Sequence, residues 1–358
     1  AVISIVTGSS WTTIATIGVA LIGIGQSHGL STSWIAGAVI SGAYFGDKMS
    51  PLSDTTVIAS STVGTTLFTH IRYMMITTIP SMIISLVIFL IVGFISHNDM
   101  GQNVDSFAVA LTDTFNISPW LMIVPVVTLV MILFKIPSLI VLFLSALMAA
   151  MLIPITQPQI IAQVVGMNGE ANLTDIIKGV LISCYGSTRV ETSNSMLTEL
   201  IATRGMSGMM NTIWLIICAM CFGGVMMASG MIANITNLIM RLIKRTITLV
   251  ASTVFTGVFN NICISDQYLS IILTCNIFKD YYDRNGYEAR LLSRSAEDSA
   301  TVTSPLIPWN TCGMTHSTVL NVATLSYLPY CLFNILSPLM SIIVAAVGYR
   351  ILKKNVES

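Results

Sequence analysis

Charge is what this chain has least of. Lys and Arg number 16 and Asp and Glu 16 among 358 residues, 9% in all, where a soluble domain carries about 25%. With 54% hydrophobic residues and a mean hydropathy of +0.82, the composition excludes a soluble globular protein and implies a polytopic helical membrane protein. A net charge of zero gives no footprint for nucleic acid. Also missing are a P-loop, a Gly-rich dinucleotide fingerprint and zinc-ligand spacing. Nothing therefore points to an enzyme, a bound cofactor or an ATP-driven pump; a secondary transporter or a channel is left. The seven cysteines all lie in or beside apolar segments, and the CxxC of Cys218 and Cys221 falls inside Trp214–Gly224, which suits helix packing rather than redox or metal chemistry. The 21 methionines read as packing or lipid-facing residues. The chain opens Ala1-Val2-Ile3-Ser4, without methionine and inside an apolar run. That start predicts a fragment or processed chain whose earlier spans are missing, with no signal peptide to read.

The few charges are concentrated. The stretch GDKMSPLSDTT (Gly46–Thr56) sets Asp47, Lys48, Pro51 and Asp54 between the apolar Trp34–Phe45 and the hydroxyl-rich, uncharged Thr55–Leu67. A charge at the centre of a membrane helix costs about 2.5–3.5 kcal/mol on insertion scales, so such residues usually face a pathway or a binding site. Proline and glycine break the helix there and free backbone groups to meet an ion.

Tyr73–Ile95, Trp120–Phe134, Ser138–Ile153, Met210–Ile232 and Leu328–Gly348 read as complete spans. Ala1–Ile24 and Ile247–Phe278 are interrupted, the first at Thr7–Trp11 (TGSSW) and the second at Asn260–Asp266 (NNICISD). Positive residues mark cytoplasmic ends. His70 and Arg72 precede the Tyr73–Ile95 span, and the His97–Pro119 loop after it has no Lys or Arg. Lys135 marks its turn before Pro137 as inside, Arg241, Lys244 and Arg245 do the same after Met210–Ile232, and Arg350, Lys353 and Lys354 predict a cytoplasmic C-terminus. Basic residues flank Ile247–Phe278 on both sides, with Lys279, Arg284, Arg290 and Arg294 following it. A re-entrant hairpin keeps both groups on one side. Its arms of about 12 residues, near 18 Å, are too short for a hydrocarbon core of about 30 Å. The same logic makes Ala1–Ile24 a hairpin entering from the opposite side. Ile155–Gly208, with Lys178, Arg189 and Arg204, reads as interfacial amphipathic helices with a partial re-entry at Ile176–Tyr185.

The expected fold is an all-α polytopic membrane protein of inverted repeats, each a re-entrant helical hairpin, a broken helix and a full span. Repeat 1 covers 1–97, scaffold spans and the interfacial segment cover 98–240, and repeat 2 covers 241–358. An ungapped shift of 254 residues lays Ser50-Pro51-Leu52 on Ser304-Pro305-Leu306.

The polar groups at the breaks are nearly all oxygen donors. In the first half they are Thr7, Ser9, Ser10 and Thr12 at the tip, and Asp47, Ser50, Ser53, Asp54 and Thr55 on the broken helix. In the second half they are Asn260, Asn261, Ser265 and Asp266 at the tip, then Glu297, Asp298, Thr301, Thr303, Ser304, Asn310 and Thr311. Hard cations such as sodium prefer oxygen ligands, and a carboxylate in a low dielectric can trade a proton for a cation near neutral pH. Both blocks are expected to converge on one site near mid-membrane. Asp54, after Pro51 and among Ser53, Thr55 and Thr56, is the leading exchanger and Asp47 the second. Lys48 reads as the neutraliser of a neighbouring aspartate, and Glu297 and Asp298 read alternatively as caps of the following helix. His28, His70 and His97 read as interface or loop residues; His316 alone is placed near the core.

TGSSWTTIATIGVALIGIG, GAYFGDKMSPLSDTT, SDQYLSIILTCNIF, LSRSAEDSATVTSPLIPWNTCG and RGMSGMMNTIWLIICAMCFGGV resemble the NhaC-type sodium/proton antiporters over nearly all of the chain. The resemblance implies exchange of sodium for protons by a multi-pass protein of the bacterial plasma (inner) membrane. It implies no cofactor, sodium held at a subset of the oxygen donors above, a lipid surround and a homodimer. The wider group has inverted repeats with paired re-entrant hairpins, and its members are longer at the N-terminus. The same family contains malate/lactate exchangers coupled to sodium and protons, so a small dicarboxylate or hydroxy acid is the alternative cargo. Family hairpins often continue SDQYL with proline and glycine, where this chain has Thr274 and Cys275.

Overall fold

The computed structural model describes residues 1–95, 102–134, 136, 138–166, 172–194, 197–198, 201–203 and 205–351. His97, Lys135, Pro137, Arg204, Lys353 and Lys354, used above to orient the chain, lie outside them. Among the described residues helices are the only extended elements, an isolated bridge between Thr188 and Thr203 apart. In chain order they are α1 (Val2–Thr7), α2 (Ser10–Thr13, extended by a π-helical turn at Ile14–Gly18), α3 (Val19–Ser27), α4 (Thr32–Met49), α5 (Asp54–Val63) and α6 (Leu67–Ile95). Then come α7 (Gln102–Thr114), α8 (Ile123–Leu133), α9 (Ser138–Thr156), α10 (Pro158–Val165) and α11 (Leu173–Tyr185). The last group is α12 (Met210–Ala228), α13 (Met231–Met240), α14 (Thr246–Ile264), α15 (Gln267–Arg284), α16 (Ala289–Ala296, extended by a π-helical turn at Glu297–Thr301), α17 (Thr311–Leu320) and α18 (Leu332–Val347).

Leu67–Ile95, Gly205–Ala228 and Thr246–Ile264 are long and apolar enough to cross a membrane, and three bent helix pairs qualify if each is one span. The chain divides into two units, 1–22 with 31–96 and 214–358, and 23–30 with 97–213. In the second unit two pairs, Ala108–Thr114 with Pro119–Met131 and Ile140–Thr156 with Pro158–Val165, each bend by 98°. Prolines sit at both bends, where a missing N–H stops the helix. A hydroxyl pair, Thr128 Oγ1 and Ser145 Oγ at 2.6 Å, links α8 to α9.

In the first unit α14 and α15 form an antiparallel hairpin. Asn260 Nδ2 donates to Thr274 Oγ1 near the corner, Thr253 Oγ1 pairs with Tyr282 Oη farther out, and Thr246 Oγ1 pairs with Tyr287 Oη at the open end. A helical hairpin is present, but its arms have 19 and 18 residues rather than about 12, and Thr246–Ile264 is long enough to cross a membrane, so the length argument for re-entry does not hold. The arms are longer because Asn260 and Asn261 are absorbed into α14: their amides bond neighbouring helices, so the polar pair does not break the backbone. The exposed Arg241, Lys244, Arg245 and Arg284 cluster at the open end. Arg294, read from sequence as part of that flank, is fully buried instead.

A repeated plan is visible at a shift of 257 residues. The helix starts Ser10, Thr32, Asp54 and Leu67 correspond to Gln267, Ala289, Thr311 and Thr324. The first three helical stretches end at Ser27, Met49 and Val63 against Arg284, Leu306 and Leu320, the second copy of the middle one passing through its π and 3-10 turns. The left-handed residues Gly8, Gly29 and Gly64 correspond to Ser265, Gly286 and Asn321. Tertiary hydrogen bonds repeat as well. Ser4 Oγ donates to Ala43 O, and Asn261 Nδ2 to Ala300 O; Ser10 bonds Asp47, and Gln267 bonds Ser304. Both breaks carry the same two backbone turns, Ser50 N to Asp47 O then Ser53 N to Ser50 O, and Ile307 N to Ser304 O then Asn310 N to Ile307 O. This register pairs Pro51 with Pro308, not with Pro305 as the matching Ser-Pro-Leu triplets suggest at 254. In the second copy that triplet forms a 3-10 turn ahead of the break.

The two tips share a corner: a left-handed residue (Gly8, φ 67; Ser265, φ 63) followed by an extended N-cap (Ser9; Asp266) whose side chain accepts from the amide three residues on. Gly8 is required, because a Cβ there would lie 2.6 Å from Leu52 Cβ. Ser265 bears a side chain in a region that costs about 1–2 kcal/mol, and its carbonyl is held by Thr311 N–H at 2.9 Å. Gly8→Ala is therefore expected to lower the thermal unfolding midpoint in detergent by the equivalent of at least about 1 kcal/mol. Ser265→Gly should stay within about 1 kcal/mol of the parent. Equal midpoints for Gly8→Ala and parent would refute the corner's geometry.

Candidate functional site

Asp47 and Lys48 are consecutive on α4, about 100° apart around its axis, and so face different neighbours. Asp47 turns to the first tip, where Ser10 donates its N–H at 3.2 Å and its hydroxyl at 2.7 Å to Oδ2; the Ser53 hydroxyl lies beside the same carboxylate. Lys48, wholly buried, bonds Asp298 Oδ1, 250 positions away, and donates to Ser337 Oγ at 3.2 Å. Asp298 Oδ1 also accepts from Thr77 Oγ1 at 3.1 Å and Ser337 Oγ at 3.2 Å.

Glu297, in the π-helical turn that continues α16, accepts from Thr55 and Thr56 hydroxyls of α5, each at 3.3 Å, on Oε1. Its Oε2 lies 2.5 Å from His70 Nε2, and His70 Nδ1 lies 2.8 Å from Ser293 Oγ. Such π-helical turns are frequent at functional sites. Arg294, one turn before Asp298, stacks over Tyr73 with its guanidinium carbon 4.6 Å from the ring centre, and its Nε is 4.0 Å from Asp298 Oδ2.

Apart from Asp266, which caps α15, the second tip is neutral. Asn261 Nδ2 donates to Ala300 O at 2.6 Å and Thr303 Oγ1 at 3.0 Å. Asn310 Nδ2 donates to Asn261 O at 3.2 Å while its Oδ1 caps α17 at Cys312 N. Ser304 donates to Gln267 Oε1 at 2.8 Å. Thr311 is tied to the corner through its N–H to Ser265 O. His316, buried, bonds Tyr44 Oη at 3.0 Å and meets Trp11 edge-on.

Among the residues singled out from sequence, the structure draws Ser10, Asp47, Thr55 and Asp298 into or beside one buried charged cluster, with Asn260, Asn261, Thr303, Ser304, Asn310 and Thr311 in the neutral network of the second tip. Ser9 and Asp266 are spent on capping α2 and α15, and Ser50 on a local turn to Leu52 N. Asp54 does not join the cluster: as the first residue of α5 it is exposed, while Thr55 and Thr56, rotated by 100° and 200°, face inward. His70 is not the interface or loop residue expected, because burial brings it onto Glu297. Lys48 does neutralise an aspartate, but the remote Asp298 rather than a neighbour. Glu297 and Asp298 cap nothing at a surface; both are fully buried within the helix. Thr77, Ser337 and Gln267 were not foreseeable, since hydroxyls and amides abound in membrane helices. Arg294 was: it precedes Asp298 by four residues, the spacing that places two side chains on one helical face.

Removing His70 should leave Glu297 Oε2 without a donor. His70→Leu is expected to cost about 1–3 kcal/mol of stability, and Glu297→Gln in the same chain to restore part of it. Thermal unfolding of the purified single and double variants checks this, and additive losses would exclude the coupling.

The sequence pattern described as the Na+/H+ antiporter family matches residues 42–349. The Na+/H+ antiporter NhaC of Bacillus subtilis (strain 168) is 35% identical over 348 residues, 97% of this chain and 74% of that protein. NhaC of Alkalihalophilus pseudofirmus is 33% identical over 99% of this chain and 73% of its own length. The malate-2H+/Na+-lactate antiporter of B. subtilis is 34% identical over 92% of this chain and 67% of its length. No solved structure matches. With its break, its charged cluster and its second hairpin all inside the matched region, the chain belongs to the Na+/H+ antiporter family.

Proposed function

We propose that this chain is a secondary antiporter, not an enzyme, exchanging sodium for protons across the bacterial plasma membrane, with Asp47 as the exchanging carboxylate. One observation carries the assignment of Asp47. Among the described residues the buried acids are Asp47, Glu297 and Asp298 and the buried bases Lys48 and Arg294. Asp298 has Lys48 and Glu297 has His70 as a basic partner, whereas Asp47 has none. A buried carboxylate without a counter-charge is costly, so the deficit is met by one monovalent cation or one proton, in alternation. Asp47 is where that cation belongs, because Glu297 faces His70 and Asp298 faces Lys48, whereas the groups touching Asp47 are the neutral Ser10 and Ser53. A sodium ion there would find one carboxylate and hydroxyl oxygens, the hard donors it prefers.

The element plan repeated at 257 residues supports reading the first unit as two transport repeats of inverted orientation, residues 1–97 and 241–358, with 98–240 as scaffold. The basic residues at the open end of the α14–α15 hairpin support a cytoplasmic position for that end and for the C-terminus.

In proteoliposomes, an imposed sodium gradient is expected to drive proton movement through the parent. Asp47→Asn should reduce it at least tenfold across pH about 6–9, and Asp54→Asn should leave it within about twofold because that residue lies outside the cluster. Parent-like exchange by Asp47→Asn would overturn the assignment. The malate/lactate relative motivates a second reading, exchange of small carboxylates, and a strict requirement for added malate or lactate would establish it in place of simple sodium/proton exchange.

A further inference from the structure

Asp298 is held on one side only. Its Oδ1 takes Lys48, Thr77 and Ser337, while Oδ2 is buried with no hydrogen bond. Arg294 shows the converse: it is fully buried, and Nε, Nη1 and Nη2 are all without a partner. The free oxygen and the free Nε–H face each other across 4.0 Å, one turn apart on the same helix. A guanidinium has five donors in a rigid fork and keeps its charge when buried, so leaving all of them unmet is a standing cost.

Packing does not explain this arginine. At the shift of 257 residues Arg294 corresponds to Gly37, and Tyr73 to Tyr330. Arg294 stacks on Tyr73, while Gly37 brings its bare backbone against Tyr330, with no room for a Cβ. The same helix-on-tyrosine contact is thus made without any side chain in the other copy. What distinguishes the second copy is Asp298, which stands where the first has Ser41.

The two cations near Asp298 are attached differently. Lys48 comes from α4, in the other copy, and any displacement of α4 against α16 separates it from Asp298. Arg294 shares a continuous helix with Asp298 and moves with it. We propose that Arg294 is a positioning residue for transport: when Lys48 withdraws from Oδ1, Arg294 closes the 4.0 Å gap to Oδ2 and keeps Asp298 charged and in place. This rests on the antiporter reading only in requiring that α4 and α16 separate during exchange.

The test uses the full chain and two readouts. First, thermal unfolding midpoints are compared for Lys48→Met, Arg294→Met and the double variant, each with and without Asp298→Asn. The double variant is expected to lose more than the two single losses combined, because only then does Asp298 have no cation, and Asp298→Asn should remove the excess. Second, in proteoliposomes Arg294→Met is expected to lower kcat at least tenfold with the KM for sodium unchanged, and Arg294→Lys to recover most of the rate. Additive midpoint losses, or an Arg294→Met effect confined to KM, would overturn the proposal. Should the parent itself move no protons with sodium, the antiporter reading fails and the midpoint cycle alone decides: excess loss upholds the Arg294–Asp298 pairing, and additivity removes it. Arg294→Met with Asp298→Asn, which lacks the unpaired carboxylate, keeps the cycle readable if the single variant does not fold.

Discussion

Everything in the first unit is arranged around the contact between Lys48 and Asp298. Two ions taken out of water cost several kcal/mol each, and their mutual attraction offsets that only when further hydrogen bonds complete the shell. Here the shell comes from Thr77 and Ser337, on α6 and α18. Four helices, α4, α6, α16 and α18, must therefore meet at one point for either charge to be tolerated. Such a pair adds little net stability compared with apolar residues; what it supplies is register. A slide of α4 by one turn would strand both charges in an apolar interior, so the sequence penalises every docking except this one.

The repeated plan shows how one backbone is given two chemistries. Ser10 with Asp47 and Gln267 with Ser304 occupy corresponding positions, yet the first pair holds a charge and the second is neutral. The acids of the second copy, Glu297 and Asp298, stand where the first has Ile40 and Ser41, two turns away from the level of Asp47. Had the charges been placed symmetrically, like would face like across the interface. Offset by two turns, Lys48 of one copy meets Asp298 of the other. The element plan repeats, and the charges placed on it do not.

Much of this could be read in the sequence. The break after α4 was marked by Pro51, a residue whose backbone limits act locally and so leave a local signature. The second hairpin followed from charge on both of its flanks. What failed was anything that depends on a partner remote in sequence. Asp54 carried every local mark of an exchanger but lies on the outward side of α5, a matter of 100° that the break itself decides. Arg294 looked like one more positive flank until Asp298, four residues on, and Tyr73, more than two hundred residues away, were seen to bury it. His70 likewise gave no sign of Glu297. The repeat register was mistaken by three residues because Ser-Pro-Leu recurs as letters, whereas the structure conserves dihedral angles: left-handed corners and N-caps align where identities do not.

The buried groups also divide by which copy holds them. Asp47 is held by Ser10 and Ser53, both of its own copy, so a cation bound there would be carried by the first copy alone. Glu297 and Asp298, in the second copy, are held mainly by the first, through Thr55, Thr56, His70, Lys48 and Thr77, with Ser337 of their own copy completing the shell of Asp298. A rigid displacement of one copy against the other would preserve the contacts of Asp47 and the Ser337–Asp298 bond and break the rest. Asp47 is thereby set apart from the charged contacts that fix the relative position of the copies.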